Sequence, residues 1–117
     1  MIMKLNINDR AAKAIKNNTK RVEIRANKKN KHDYGSLKEN DIIEFTSKNE
    51  GVFKVKVKEV NHYDSIDELL TLEGTRYTLS STNDKEEGIK SINSIDGYEE
   101  AIKKNGVYAI HIEYIGE

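Results

Sequence analysis

Apolar positions along this chain change period several times, and each change marks an element. Ile2, Leu5 and Ile7 supply the apolar content of a short strand over residues 2–7. Asn8 then stands where a helix N-cap belongs, with Asp9 in the first turn. The helix runs to about Lys16, and Ile7, Ala11, Ala14 and Ile15 form its buried stripe. Asn17-Asn18 ends it, because Asn tolerates the left-handed conformation of a C-cap better than most residues. Val22 and Ile24 next alternate with Arg21, Glu23 and Arg25, which reads as a strand. Residues 26–40 hold no period and read as a long loop. Strands return at Ile42–Ser47 and Val52–His62, joined by a turn at Asn49-Glu50-Gly51. In the second of them Phe53, Val55 and Val57 alternate with Lys54, Lys56 and Lys58.

The second half carries helix signals. Ser65-Ile66-Asp67-Glu68 has capping-box spacing ahead of Leu69 and Leu70, and that helix stops near Gly74. A Thr- and Ser-rich loop covers residues 75–83. Asn83 with Glu86 opens a helix with Ile89 and Ile92 inward, and Asp96 with Glu99 starts a last short one ending at Asn105-Gly106. Val107–Ile115 closes the pattern as a strand. Tyr108, Ile110, Ile112 and Tyr114 lie on one face, and Ala109, His111 and Glu113 on the other. Short, half-buried strands with helices in the gaps predict an α+β fold. We expect a small, closed or nearly closed mixed β-barrel of about five to six strands with peripheral helices. At 117 residues the chain reads as a single domain, 1–117, with one ordinary core.

Composition changes this picture little. Hydrophobic residues make up 36% and charged residues 34%, and the regular apolar periods argue against disorder. There is no Cys, which excludes disulfides and thiolate metal sites. No apolar run approaches membrane-spanning length, and Met1-Ile2-Met3-Lys4 is too short for a signal peptide, so a cytoplasmic location is expected. The net charge of zero hides an asymmetry. Residues 1–60 hold 12 Lys and 3 Arg against 8 Asp and Glu, a net of +7, and residues 61–117 carry the compensating −7. Kept apart in space, the halves would leave one face basic enough to attract phosphates; interleaved, their charges would pair.

The densest candidate chemistry is the stretch Asn17–Arg25. Lys20, Arg21, Glu23 and Arg25 fall within six residues. Alternation puts Glu23 and Arg25 on one face, near enough to orient each other, while Lys20 sits at the turn where the pleat does not set its direction. Residue types alone favour the plainer reading, a solvated strand face whose exposed ion pairs stabilise little. The loop over 26–40 brings Lys28, Lys29, Lys31 and Lys38 around one aromatic, Tyr34. Such a loop suits phosphates and a stacked base, or serves only solubility. Lys54, Lys56 and Lys58 lie roughly 7 Å apart along their strand, a spacing comparable to that of phosphates, although Lys also commonly protects a sheet edge. His32, His62 and His111 have no metal-ligand spacing, and neither a metal nor a cofactor is expected.

Residues 18–25 resemble the signature of ASCH domains, within the PUA-like superfamily. That pattern is Gly-x-Lys-x-x-Glu-x-Arg, and here it reads Asn18-Thr19-Lys20-Arg21-Val22-Glu23-Ile24-Arg25. The order of what surrounds it is similar too. A strand and helix precede the motif, and Asn40-Asp41-Ile42-Ile43-Glu44-Phe45 enters a strand. A Lys/Val strand, the helix from Ser65 to Leu70, and Gly106-Val107-Tyr108-Ala109-Ile110 follow. The resemblance implies a PUA-like barrel with a cleft beside the motif that binds RNA or a nucleotide. Lys20 and Arg25 would meet a phosphate or base edge, Glu23 would hold Arg25, and Tyr98 or Tyr34 would stack. It also implies an alternative, a small amidohydrolase on a modified nucleoside such as N4-acetylcytidine, or a ribonuclease. In the amidohydrolases a Lys at the position of Lys20, a Thr at the position of Glu23 and a downstream Glu form the catalytic set. The departure to Glu23 removes the hydroxyl nucleophile, leaving Lys20 and Glu23 as the catalytic candidates and Glu73 as the candidate downstream Glu. A protein-interaction domain is a third reading, unsupported by any large apolar surface in the pattern.

Overall fold

A computed structural model describes residues 2–28 and 31–117, so Lys29 lies outside the described residues. The elements follow the predicted order: β1 (Ile2–Asn6), α1 (Asp9–Lys16), β2 (Val22–Arg25), β3 (Ile42–Ser47), β4 (Gly51–Tyr63), α2 (Ile66–Glu73), α3 (Lys85–Asn93), α4 (Tyr98–Asn105) and β5 (Val107–Gly116). The strands form one five-stranded sheet in the order β1-β3-β4-β5-β2. β1 runs parallel to β3, and every other pairing is antiparallel. The α+β class and the mixed sheet are as expected.

The barrel is not. The sheet is open, with β1 and β2 as its two free edges. Thirteen-residue β4 pairs with β3 and with β5, and its register against β5 shifts between Val57 and Glu59. Such irregularities bend a strand. The edges come close enough for one side chain to bridge them: Arg25 Nη2 on β2 donates to the Asn6 carbonyl on β1 at 2.9 Å. A side chain therefore stands where a strand-to-strand ladder would close the barrel, and a polar cleft occupies the seam.

Both faces of the sheet are covered. Met3, Leu5, Ile43, Phe45, Phe53, Val55, Val57, Ile110 and Ile112 pack with Ala12 and Ile15 of α1. On the other face Val22, Ile24, Val107 and Ala109 pack with Ile66, Leu69 and Leu70 of α2 and with Tyr98, Ala101 and Ile102 of α4. Ala11 and Ile15 are buried in α1 as expected, but fully buried Ala12 joins them in place of the expected Ala14, which is half-buried. Asn8 Oδ1 caps this helix by accepting from Ala11 N–H at 2.8 Å, and Ser65 Oγ caps α2 by accepting from Glu68 N–H at 3.1 Å.

The halves of opposite charge interleave, since β5 lies between β4 and β2. Lys56 and Lys58 both reach Glu113, and Lys16 reaches Glu117. The lysine row thus lies on a central strand opposite a carboxylate, and it protects no edge. Among the described residues no helix is long and apolar enough to cross a membrane.

Candidate functional site

The turn after α1 aims the motif inward. Asn18 adopts the left-handed conformation (φ 64°), and both Thr19 N–H and Lys20 N–H then donate to the Ala14 carbonyl. This reversal turns the Lys20 side chain into the protein, where it is 5% exposed. Its ammonium donates to the carbonyls of Val22 (2.7 Å) and Thr78 (2.6 Å) and lies 3.4 Å from Glu23 Oε1. Glu23, 6% exposed, accepts from Arg25 Nε at 2.7 Å through its other oxygen. The Arg25 guanidinium sits 5.9 Å from the ring centroids of both Tyr34 and Phe45, within cation–π range. The charged face of β2 is therefore a buried, mutually bonded network and not a solvated surface.

Electrostatics follow from this burial. Desolvation is the largest influence on Lys20 and holds its amine below the ordinary lysine range, with Glu23 opposing it in part. Burial also disfavours the Glu23 carboxylate most strongly, yet Arg25 and Lys20 together outweigh it and hold the carboxyl low. Arg25 is disfavoured by burial as well, but Glu23 and its neighbours carry it higher still, so it stays a cation.

A cleft of about 310 Å³ opens over this network. Asn6 and Asn8 line it on one side, Lys20, Glu23 and Arg25 form its base, and Tyr98 forms a wall. Thr78, Ser80 and Ser81 close it from the 75–83 loop. That loop is held to β2 by Arg21 N–H and Val22 N–H, which both donate to the Tyr77 carbonyl, and by Lys20. The Arg21 guanidinium meanwhile lies 4.4 Å from the Tyr77 ring centroid, within cation–π range. These hydroxyl-bearing residues were missed from sequence, where a Ser/Thr-rich loop carries no spacing that marks it as a lid.

Of the other candidates, Tyr98 lines this cleft but is only 7% exposed and packs in the core, and Glu73 is elsewhere. Glu73 lies on the opposite face of the sheet, accepting from Tyr63 Oη (2.6 Å), Asn61 Nδ2 (2.9 Å) and His111 Nε2 (2.8 Å). Burial opposes its ionisation, but the Tyr63 and Asn61 hydrogen bonds and His111 hold it low, while the same Tyr63 bond pushes that phenol up to about 12. Tyr34, offered as a stacking residue, is 5% exposed and packed in the core beneath Arg25. His62 bonds the Asn105 carbonyl, and among the described residues no cluster has the composition to hold a metal ion.

Glu23 and Glu73 give a pH dependence. Each has a lower pKa in the folded than in the unfolded chain, so its stabilisation is complete above the unfolded value of about 4.3 and is lost as pH falls through the lower folded value. Stability measured by urea unfolding should fall below about pH 4.3, and Glu73→Gln should flatten that decline. An equal slope in variant and wild type would show that Glu73 ionisation is not linked to folding.

The ASCH domain family matches residues 5–116. The crystal structure of a hypothetical protein, PH0355, is 34% identical over 98% of this chain and all of that one, with a TM-score of 0.84. The solution NMR structure of PF0455 from Pyrococcus furiosus is 31% identical over 98% of each chain, with a TM-score of 0.76. Comparison with curated proteins returns no match.

Proposed function

The chain belongs to the ASCH domain family, whose members often bind RNA, and on that premise we propose that the cleft over Lys20, Glu23 and Arg25 holds one nucleotide of an RNA. The observation that carries this reading is the closed hydrogen bonding of the network. Lys20 is committed to two carbonyls and Glu23, and Glu23 to both cations. Arg25 alone keeps donors in reserve, because only Nε and Nη2 of its five N–H fork are engaged. A fixed guanidinium with spare donors reads a base edge or a phosphate. Tyr98 offers an aromatic wall, and Ser80 and Ser81 offer hydroxyls. The volume sits at the small end of ligand pockets, which span about 300–1,000 Å³, and so suits a single nucleotide and not a folded RNA.

The test is titration with a short single-stranded RNA at several salt concentrations. Affinity should fall with salt by about 0.7 logarithmic units per phosphate contact for each decade. Arg25→Met should weaken binding at least about tenfold, the worth of one charge-assisted contact. Equal affinity of Arg25→Met and wild type would remove the cleft from RNA binding.

A second reading, amide hydrolysis of a modified nucleoside, draws support from one observation: a lysine lowered by burial beside a carboxylate at the base of a cleft. Glu23 would take a proton from water, which attacks the amide carbonyl, and Lys20 would stabilise the oxyanion. The occupied donors of Lys20 weigh against it. Incubation with N4-acetylcytidine followed by mass spectrometry decides: cytidine and acetate formed by the wild type but not by Lys20→Ala would establish the hydrolase. A ribonuclease reading gains nothing, since neither His62 nor His111 lines the cleft.

A further inference from the structure

A second chamber of about 420 Å³ adjoins the first, and the two share Asn6, Arg25, Ile95 and Tyr98 in their walls. Its character is different. Lys4, Arg25, Lys28, Lys31 and His32 line it, and no Asp or Glu does. The chain holds 20 basic and 20 acidic residues, so such a lining is not what composition alone would supply. Elsewhere some lysines meet carboxylates: Lys56 and Lys58 share Glu113, Lys16 reaches Glu117, and Lys85 reaches Asp67. Among the described residues no carboxylate pairs with Lys4, Lys28 or Lys31. Lys28 is positioned all the same. Its ammonium donates to the Asp96 carbonyl at 3.0 Å and lies 5.9 Å from the Tyr98 ring centroid. The same lysine stem passes over Gly97, where a β-carbon would lie 3.1 Å from its Cδ. The basic loop is thereby tied to the start of α4, beside the tyrosine that walls the first cleft. Ile95, an exposed apolar side chain, stands where the two chambers meet.

We infer that this second chamber is the phosphate path of the site: Lys4, Lys28, Lys31 and His32 hold the sugar-phosphate backbone of a single-stranded RNA whose neighbouring nucleotide enters the first cleft. The inference rests on the reading of that cleft given above and adds where the rest of the strand runs and which residues hold its phosphates. Charge supports it, because unpaired lysines around a concavity raise the local concentration of a polyanion. Geometry supports it too. Arg25 belongs to both walls, so one guanidinium can face the inserted nucleotide and the phosphate that follows it. Ile95, exposed where the chambers meet, gives the adjoining base an apolar surface to rest on without hydrogen-bond readout.

The test uses a fluorescein-labelled hexanucleotide RNA of mixed sequence, the 5′-mononucleotides, and four proteins: wild type, Arg25→Met and two paired substitutions. The paired substitution Lys4→Gln with Lys31→Gln removes two cations from the second chamber at exposed positions. The control, Lys54→Gln with Lys58→Gln, removes two from the outer face of β4. We expect the first pair to lower affinity roughly 20-fold near 0.1 M salt and to reduce the salt slope by about 1.4, as two lost phosphate contacts require. The control should bind as wild type. If the first pair binds as wild type while Arg25→Met is weakened, the phosphate path is wrong and the cleft reading stands. If both pairs lose affinity equally, the attraction is general and the path is wrong. If wild type binds neither the hexanucleotide nor the 5′-mononucleotides, both readings fall together.

Discussion

Glu23→Ala should destabilise the protein by about 3–5 kcal/mol, the cost of stranding buried charge whose partner has gone. The carboxylate is the counter-ion of both Lys20 and Arg25, at 3.4 and 2.7 Å. Removing it leaves two cations in a region from which water is largely excluded, and neither side chain can withdraw. Lys20 is tied to two main-chain carbonyls, and Arg25 reaches across the seam to Asn6. A contrast is built into the same molecule. Glu113, whose pairs with Lys56 and Lys58 are exposed, should cost no more than about 1 kcal/mol when truncated. Urea unfolding of the two alanine variants measures the difference directly, provided the slopes match. A Glu23→Ala loss no larger than that of Glu113→Ala would mean that the network is hydrated in solution. Substituting Lys20→Met, Glu23→Leu and Arg25→Met together should recover most of the stability, since apolar replacements of whole buried ion networks are often neutral. That variant would keep the fold and lose the proposed RNA affinity, separating a structural role of the motif from the proposed one.

Gly106→Ala comes next, with an expected loss of about 3 kcal/mol or more. Gly106 links α4 to β5 with φ 77° and ψ −164°, a region essentially confined to glycine, where an L-residue costs about 1–3 kcal/mol. A β-carbon there would also run into the His62 ring and the Tyr63 carbonyl. Neither can yield easily. The His62 ring donates to the Asn105 carbonyl at 2.8 Å, and the Tyr63 carbonyl belongs to β4, paired at that residue with Val107. Gly51 provides the reference. Its φ is 79°, but nothing lies within 4 Å of its would-be β-carbon. Gly51→Ala should therefore carry the backbone cost alone. The excess loss in Gly106→Ala reports the collision, and equal losses would show that β4 shifts freely to admit the methyl group.

Local signals in the sequence located nearly every element. Asn8 and Ser65 cap the helices they were expected to cap, and Asn18 takes the left-handed turn. The alternation of β5 also divides as read, with Ile110 and Ile112 in one core and Ala109 in the other. Long-range facts were not legible. Nothing in a four-residue strand says whether it is interior or an edge, so the open seam between β1 and β2 was read as a barrel. The burial of Glu23 and Arg25 was hidden for a related reason. Alternation says that they share a face, but only tertiary folding says that Asn6 and the 75–83 loop lie across from it. Glu73 and Lys20 carried no mark of which side of the sheet each would occupy. Tyr34 looked like the aromatic of a basic loop because the turn at Tyr34–Ser36 that plants it in the core is only three residues long.

The placement of β2 bears on when the site comes into being. Among the described residues its strand partner is β5 alone, and Val22–Arg25 lie against Tyr108–His111. The motif is therefore written early in the chain and completed late. A ribosome would have released Lys20, Glu23 and Arg25 long before the strand that seats them, and closing so wide a loop is entropically slow. Until residues 107–111 emerge, β1, β3 and β4 can assemble without it, and the three charged side chains remain in water. A nascent or truncated chain could thus hold half the sheet and none of the cleft. On the proposed reading, ligand affinity would report that synthesis has reached the last strand.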